Sequence, residues 1–157
     1  MNLFEQINQH ECIYLSNIGE PEENCLRLVI EEGSFSDNEK PMDPFMREVL
    51  GLPASDEANN CIYEIIFNNY ICYAVLNESY AMTAQNKEHQ AEILSLHAQS
   101  NYLDYVKQQN QIETAPSGNL IHCKLKCLNH IIDIVTFEKP NIKNIGSRTA
   151  NNGISLL

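Results

Sequence analysis

The stretch CIYEIIFNNYICYAVLNE, residues 61–78, decides the fold. It holds two apolar runs rich in β-branched and aromatic residues, separated only by Asn68 and Asn69. Such residues favour strands, and asparagine tolerates the positive φ angles of a tight turn. We therefore predict a β-hairpin in which Ile65 pairs with Cys72. Because both faces of this hairpin are apolar, it should lie centrally in a sheet and be covered on both sides.

Apolar spacing predicts further strands on either side of this hairpin. We place four of them at residues 11–16, 25–31, 120–127 and 130–138. Residues 17–24 contain Gly19 and Pro21 and are interpreted as a loop. Residues 92–99 fit either a strand or a helix, and we favour a strand followed by a helix with Ser100 as its N-cap.

The strand at residues 120–127 has a regular alternation of apolar and polar residues. Its apolar side chains should face the core: Ile121, Cys123, Leu125 and Cys127. Its polar side chains should face solvent: His122, Lys124 and Lys126. This pattern predicts a strand with one wet face.

The predicted fold class is α+β, with a mainly antiparallel, curled β-sheet of six to seven strands and two or three short helices. The chain has no helix-length crossovers between strands, which argues against a parallel sheet. Its 157 residues are sufficient for one domain with its own core. We expect this single domain to cover residues 1–157, with an acidic insertion at residues 32–60 and a loose tail from about residue 143.

The acidic insertion contains a short predicted helix, DPFMREVLG. Asp43 is a suitable N-cap, Pro44 suits the first helical position and Gly51 suits the position after the end. Three apolar residues should pin this helix to the body of the domain: Phe45, Val49 and Leu50. An insertion of this length more often carries function than merely connects two strands.

Sequence features also constrain the compartment. The N-terminus, MNLFEQINQHE, lacks the basic start and apolar run of a signal peptide, and no apolar run approaches the roughly 20 residues needed to span a bilayer. We expect a cytoplasmic protein that does not associate with membranes. Its six cysteines should then be reduced thiols, most of them acting as small buried apolar residues.

The net charge of −11 lies entirely in the first part of the chain. Residues 1–64 hold fourteen acidic and three basic residues, whereas residues 65–157 hold seven of each. Such a surface repels nucleic acid and anionic lipid, because binding to both depends on basic groups. It attracts a basic protein partner and speeds their encounter.

Metal binding and nucleophilic catalysis by cysteine are not supported by residue spacing. On a strand, Cys123 and Cys127 lie about 13 Å apart at roughly 3.3 Å per residue, whereas two thiolates on one zinc lie about 4 Å apart. No cysteine opens a predicted helix, and no P-loop, G-x-S-x-G or G-x-G-x-x-G motif is present. We therefore expect neither a metal nor a cofactor.

Two carboxylates on apolar strands are candidates for a functional pocket. Glu64 and Asp133 each lie on a mostly apolar strand face, and a buried carboxylate must be paired or hydrogen-bonded. Such groups are frequent at working sites. Together with Tyr73 and His130 they would form an acid–base cluster, so a small enzyme or ligand-binding domain is the alternative hypothesis.

The C-terminal part of the chain resembles a known group of proteins. The runs SNYLDYVKQ, HCKLKCLNHIIDIVTFEKPNI and YEIIFNNYICYAVLNESY are similar to small bacterial proteins that share a CLNHIIDVV…E-P end. Those proteins look like single-domain immunity proteins of bacterial toxin systems. The resemblance covers about residues 60–142 and carries no catalytic motif, so it assigns no functional residue.

The leading hypothesis is therefore a non-enzymatic, protein-binding immunity protein that neutralises a basic toxin. The residues predicted to bind this partner are Glu22, Glu23, Glu31, Glu32, Asp37, Glu39, Asp43, Phe45, Asp56 and Glu57. A third alternative, a homodimer or a subunit of a larger assembly, predicts a contiguous exposed apolar patch.

Overall fold

The fold is taken from a computed structural model. It describes residues 1–33, 44–51, 60–81, 92–110, 112, 119–148 and 154–156. The predicted N-cap Asp43 and most of the predicted acidic insertion therefore lie outside the described residues.

The described residues form three α-helices, nine strands and a short 3-10 helix. The helices are α1 (Leu3–Gln9), α2 (Pro44–Val49) and α3 (Asn101–Gln109), and the 3-10 helix covers Glu78–Tyr80. The first five strands are β1 (Cys12–Glu22), β2 (Cys25–Gly33), β3 (Asn60–Asn68), β4 (Tyr70–Asn77) and β5 (Leu94–His97). The others are β6 (Ile121–Lys126), β7 (His130–Thr136), β8 (Asn141–Arg148) and β9 (Ile154–Leu156).

These strands form two antiparallel sheets. The first sheet has the order β1-β2-β3-β8-β9, and the second has the order β4-β7-β6-β5. The predicted α+β class and antiparallel pairing are confirmed, as is the order of strand then helix after residue 92. The prediction of one curled sheet with six or seven strands is wrong.

The predicted hairpin at residues 61–78 is also wrong, because its two strands lie in different sheets. In β3, Ile65 pairs with Leu28 and Ile142, while in β4 Cys72 pairs with Val135. A two-residue hairpin turn of the expected type needs positive φ at both central residues. Of the two asparagines, only Asn69 has a positive φ, at 54°, and Asn68 still belongs to β3. The chain therefore crosses from one sheet to the other through a single residue.

One hydrophobic core lies between the two sheets. Alternate residues of β1, β2 and β3 in the first sheet meet alternate residues of β6 and β7 in the second. The fully buried members include Leu28, Ile65, Leu125, Ile132 and Ile134. The apolar inner face of β3 is therefore explained by the opposite sheet, not by a partner strand in a hairpin.

An asparagine side chain also links the two sheets. Asn129, in the turn between β6 and β7, accepts a hydrogen bond from the Leu15 amide at 3.0 Å and donates one to the Leu15 carbonyl at 2.9 Å. The amide of Leu128 donates to the carbonyl of Ile13 at 2.9 Å. This turn therefore satisfies backbone groups of β1 that its own sheet leaves unpaired.

The prediction of a loop at residues 17–24 is wrong, because β1 continues to Glu22. It pairs with β2 as far as Glu22 opposite Cys25, with two register shifts on the way. Proline is tolerated at position 21 because β1 is at the edge of the first sheet and Pro21 falls within the second register shift. The turn itself contains Asn24, whose φ is 61°.

The predicted loose tail from about residue 143 is wrong for residues 143–148, which belong to β8. This strand pairs with β3 along its length, with Glu64 opposite Lys143 and Ile65 opposite Ile142. Strand β3 is central and apolar, so it needs a neighbour on each side, whereas Lys143 and Asn144 of β8 are exposed. The polar sequence of β8 reflects its outward-facing residues.

Helix α3 covers the outer face of the second sheet. Leu103 and Val106 are buried against Val135 of β7. The predicted N-cap is confirmed, because the Ser100 hydroxyl accepts a hydrogen bond from the Leu103 amide at 3.0 Å. The expectation that β6 has a fully wet outer face is wrong, since His122 on that face is buried beneath α3.

The structure includes no membrane-spanning helix in its described part, as none of the helices there has the length and apolar character required.

The crossing at Asn69 can be tested by substitution. A valine at a left-handed φ is strained by about 1–2 kcal/mol, so Asn69→Val should lower the free energy of unfolding by that amount in urea titrations. Asn69→Gly should be tolerated within about 0.5 kcal/mol. The matched control is Asn68→Val, on an exposed strand position, which should change stability by less than about 0.5 kcal/mol. Equal effects of valine at both positions would contradict the assignment of the turn to Asn69.

Candidate functional site

The predicted partner-binding acids are found in different environments. Glu22 and Glu23 are exposed at the turn between β1 and β2. Glu31 lies on the outer face of the first sheet but is only 6% exposed. This burial differs from the surface position that we predicted for it. The predictions for Asp37, Glu39, Asp43, Asp56 and Glu57 lie outside the described residues.

Glu32 takes part in a hydrogen-bond network within the fold. Its Oε1 lies 2.9 Å from His10 Nδ1, and its Oε2 accepts from the Cys61 amide at 3.1 Å. The other imidazole nitrogen of His10, Nε2, lies 2.8 Å from the hydroxyl of the buried Tyr63. Glu32 therefore connects the end of α1 to β2 and β3, and its carboxylate is already satisfied inside the domain.

Helix α2 displays the apolar residues of the acidic insertion on the surface. Phe45 is 59% exposed, Val49 is 62% exposed and Leu50 is 56% exposed. More than half of each side chain is therefore exposed, and the packing of these residues against the body of the domain stays a prediction. Gly51 ends the helix as predicted, with φ of 64° and its amide donating to the Glu48 carbonyl at 3.1 Å.

The four residues of the alternative pocket are dispersed, so the structure does not bring this site together. Glu64 is on the outer face of the first sheet, with Oε1 2.6 Å from Arg27 Nε. Tyr73 packs edge-on against Tyr70, at a centroid distance of 5.4 Å, beside the core. On β7, Asp133 and His130 are three residues apart and therefore point to opposite faces.

Asp133 instead meets a histidine that the prediction had placed in solvent. It faces α3 from β7, as does His122 from the neighbouring strand β6. His122 Nε2 lies 2.8 Å from Asp133 Oδ1, and His122 Nδ1 lies 2.7 Å from Ser100 Oγ. A serine, a histidine and a carboxylate are thus joined in one hydrogen-bonded series, which we call the Ser100–His122–Asp133 relay.

Aromatic side chains hold the imidazole of the relay in place. The ring centroids of Tyr102 and His97 lie 5.2 Å and 5.5 Å from that of His122. Cys72 Sγ lies 3.9 Å from the Tyr102 hydroxyl, and Ser95 Oγ lies 2.9 Å from His97 Nε2. His122 itself is 4% exposed, so the surrounding side chains leave its ring little room to reorient.

The Asp133 carboxyl is ionised more readily than an ordinary aspartic acid. Burial acts to raise its pKa, but the hydrogen bond from His122 and the positive charge of Lys124 outweigh burial and lower the pKa below 3.8. Lys124 Nζ lies 3.4 Å from Asp133 Oδ1. With Asp133 ionised, its carboxylate accepts a hydrogen bond from His122 Nε2–H. In this tautomer, His122 Nδ1 is the acceptor for the Ser100 hydroxyl.

The cysteines do not share the properties of reactive thiols. All six are free, and Cys12, Cys123 and Cys127 are buried. Burial raises the pKa of the Cys12 thiol to about 11 and that of Cys123 to about 12, so both are protonated at neutral pH. Across the described ranges, no three His, Cys, Asp or Glu side chains are arranged to hold a metal ion.

Sequence reasoning identified Asp133 and Ser100 separately but did not connect them through His122. The signal was the pairing of β6 with β7, which places Lys124 opposite Asp133 and His122 opposite Val135. In that register His122 and Asp133 are diagonal neighbours on one face of the sheet. A search for chemically compatible diagonal pairs on adjacent strands would have found this contact.

Comparison with known proteins returned no relatives: no family model, no curated protein and no solved structure matches the chain.

The pKa of Asp133 predicts a pH-dependent contribution to stability. Because its pKa is lowered in the folded state, the contribution is present above about pH 3.8 and is lost as the pH falls through the folded-state value. Replacing the charged acceptor by a neutral one in Asp133→Asn should cost about 1 kcal/mol at pH 7, measured by urea unfolding.

The stability difference between wild type and Asp133→Asn should shrink as the pH falls below 3.8. Glu138→Gln, at an exposed position, is the control and should change stability by less than about 0.5 kcal/mol at pH 7. A difference that stays constant down to pH 2 would show that the Asp133 charge does not contribute.

Proposed function

We propose that the chain is a protein-binding domain of the immunity type that neutralises a basic bacterial toxin by binding it, so that the neutralisation itself is non-enzymatic. The observation that carries the proposal is the exposure of three apolar side chains on and beside α2 within the acidic part of the chain.

The apolar component of the proposed interface is centred on Val49 and Leu50. Each exposes more than half of its surface, as does Phe45 one helical turn before Val49. Neighbouring exposed apolar side chains of this size are typical of protein interaction sites. Burying one such side chain on binding stabilises a complex by about 1.5–3 kcal/mol before entropic costs are counted.

The charge around α2 favours a basic partner. Residues 34–60 contain six acidic residues and only two basic ones, Lys40 and Arg47. Opposite charge on a partner accelerates association and makes its rate depend on salt, whereas buried apolar contacts mainly slow dissociation. An interface with both components would bind quickly and release slowly, as an inhibitor of a toxin requires.

The class of the partner is proposed from the sequence alone, in which residues 60–142 resemble immunity-type proteins. That region includes strands of both sheets, while most of the acidic insertion lies outside it. The scaffold would then be shared with other proteins of that type, and the insertion would determine which toxin is bound.

The test uses the product of the neighbouring gene, which the proposal predicts to be a basic secreted protein, with binding measured by surface plasmon resonance at low and high salt. Val49→Ser with Leu50→Ser should weaken affinity about 10-fold to 100-fold, mainly through faster dissociation. Tyr105→Ser is the matched control, since Tyr105 is 59% exposed on α3, and should leave binding unchanged.

Charge reversal tests the second component separately. Replacing Asp37, Glu39, Asp56 and Glu57 by lysine should slow association at low salt and reduce its salt dependence. Glu138→Lys, at an exposed position far along the chain, is the single-charge control. If both sets of variants bind like wild type, or if wild type does not bind the neighbouring protein, the proposed function is wrong.

A further inference from the structure

We propose that the Ser100–His122–Asp133 relay is a second functional site, at which the Ser100 hydroxyl acts as a nucleophile toward small aryl esters. This activity is independent of the proposed function, because the relay lies between α3 and the outer face of the second sheet and includes no residue of the acidic insertion.

The relay provides a continuous route for the serine proton. With Nε2–H donating to Asp133 Oδ1 at 2.8 Å, His122 Nδ1 is the acceptor that faces Ser100 Oγ at 2.7 Å. A nucleophilic serine needs a base within hydrogen-bond reach, and that base needs a third group to orient it. His122 would be the base and Asp133 its positioning residue, which also stabilises the imidazolium once the proton has moved.

The two imidazole nitrogens have exchanged partners relative to serine proteases, in which serine contacts Nε2 and aspartate contacts Nδ1. Here serine contacts Nδ1 and aspartate contacts Nε2. Both ring nitrogens can bind and release a proton, and the contact at one of them determines the state of the other. Proton transfer from the serine hydroxyl to the imidazole is therefore chemically equivalent whether Nδ1 or Nε2 accepts the proton.

The beginning of α3 supplies hydrogen-bond donors for the negative charge that develops during the reaction. The first amides of a helix have no intrahelical acceptor, and here they belong to Asn101 and Tyr102 directly after Ser100. The Leu103 amide already donates to Ser100 Oγ at 3.0 Å. This bond orients the hydroxyl and favours an alkoxide, while one lone pair of the oxygen stays available for attack.

The surroundings of the relay favour an aromatic leaving group. The rings of Tyr102 and His97 are partly exposed and flank the imidazole at 5.2 Å and 5.5 Å. Aromatic rings stack on one another in offset or tilted arrangements at such distances. An aryl ester could therefore place its ring beside these side chains and its carbonyl carbon near Ser100.

The reaction requires only the ester and water. Ser100 Oγ forms a bond to the acyl carbon as its proton moves to His122 Nδ1. The bond from that carbon to the phenolic oxygen then breaks, and the phenolate leaves with the proton from Nδ1. Water attacks the acyl-serine with Nδ1 again as base, releases the carboxylic acid and restores the Ser100 hydroxyl.

The test is covalent labelling of the full chain with an alkyl fluorophosphonate. Attack by Ser100 forms an oxygen–phosphorus bond and releases fluoride, while the serine proton passes to His122. We expect one adduct per chain by intact mass, located at Ser100 in the peptide that contains it. Wild type should also hydrolyse p-nitrophenyl acetate faster than Ser100→Ala at equal concentration.

Variants separate a nucleophile from a serine that only caps the helix. Ser100→Asp keeps a capping oxygen and should fold but not label. His122→Gln should slow labelling about 100-fold or more. Asp133→Asn should slow it about 10-fold or more, and Asp133→Glu should recover part of the rate because it keeps the charge.

Two controls lie outside the relay. Ser95 contacts His97 at 2.9 Å and is the matched serine, so Ser95→Ala should label within about twofold of wild type. Lys107→Met, at an exposed position on α3 outside the relay, should label within about twofold. The absence of an adduct on folded wild type, an adduct on another serine, or undiminished labelling of folded His122→Gln would overturn the proposal. Ser100 would then be a helix cap only.

Discussion

The passage of the chain through Asn69 is the constraint on which the rest of the structure depends. Because one residue at a left-handed φ separates β3 from β4, the two strands cannot form a hairpin and enter opposite sheets. Each must then find partners elsewhere: β3 lies between β2 and β8, and β4 pairs with β7. The inner faces of the two sheets meet in one core.

Both candidate surfaces follow from this arrangement. In chain order, α2 lies between β2 and β3, which pair with each other in the first sheet. In the second sheet, β6 and β7 present His122 and Asp133 on the face that α3 covers. The proposed binding surface and the relay therefore lie on different elements of the fold, so a substitution in one need not disturb the other.

The local sequence pattern was sufficient to predict most helices and strands, but not which strands pair with one another. Alternation and capping predicted α3, its N-cap Ser100 and the core-facing side of β6, because these depend on neighbouring residues. Sheet membership of residues 61–78 depends on φ at Asn69, which asparagine permits but does not require. The place of His122 depends on α3 packing over a strand face that looks polar in sequence. The strand β8 was missed because its identity comes from pairing with β3, not from its own apolar content.

The most direct measurement of the two-sheet arrangement is a set of nuclear Overhauser contacts between backbone protons in the full chain. The two-sheet arrangement predicts contacts that join Ile65 to Ile142 and Cys72 to Val135, as the strand registers require. Antiparallel partners bring their Cα atoms to about 4.5–5.5 Å, well within reach of the method. Contacts that instead join Ile65 to Cys72 would mean that residues 61–78 form a hairpin, and they would contradict the shared core and the positions of both sites.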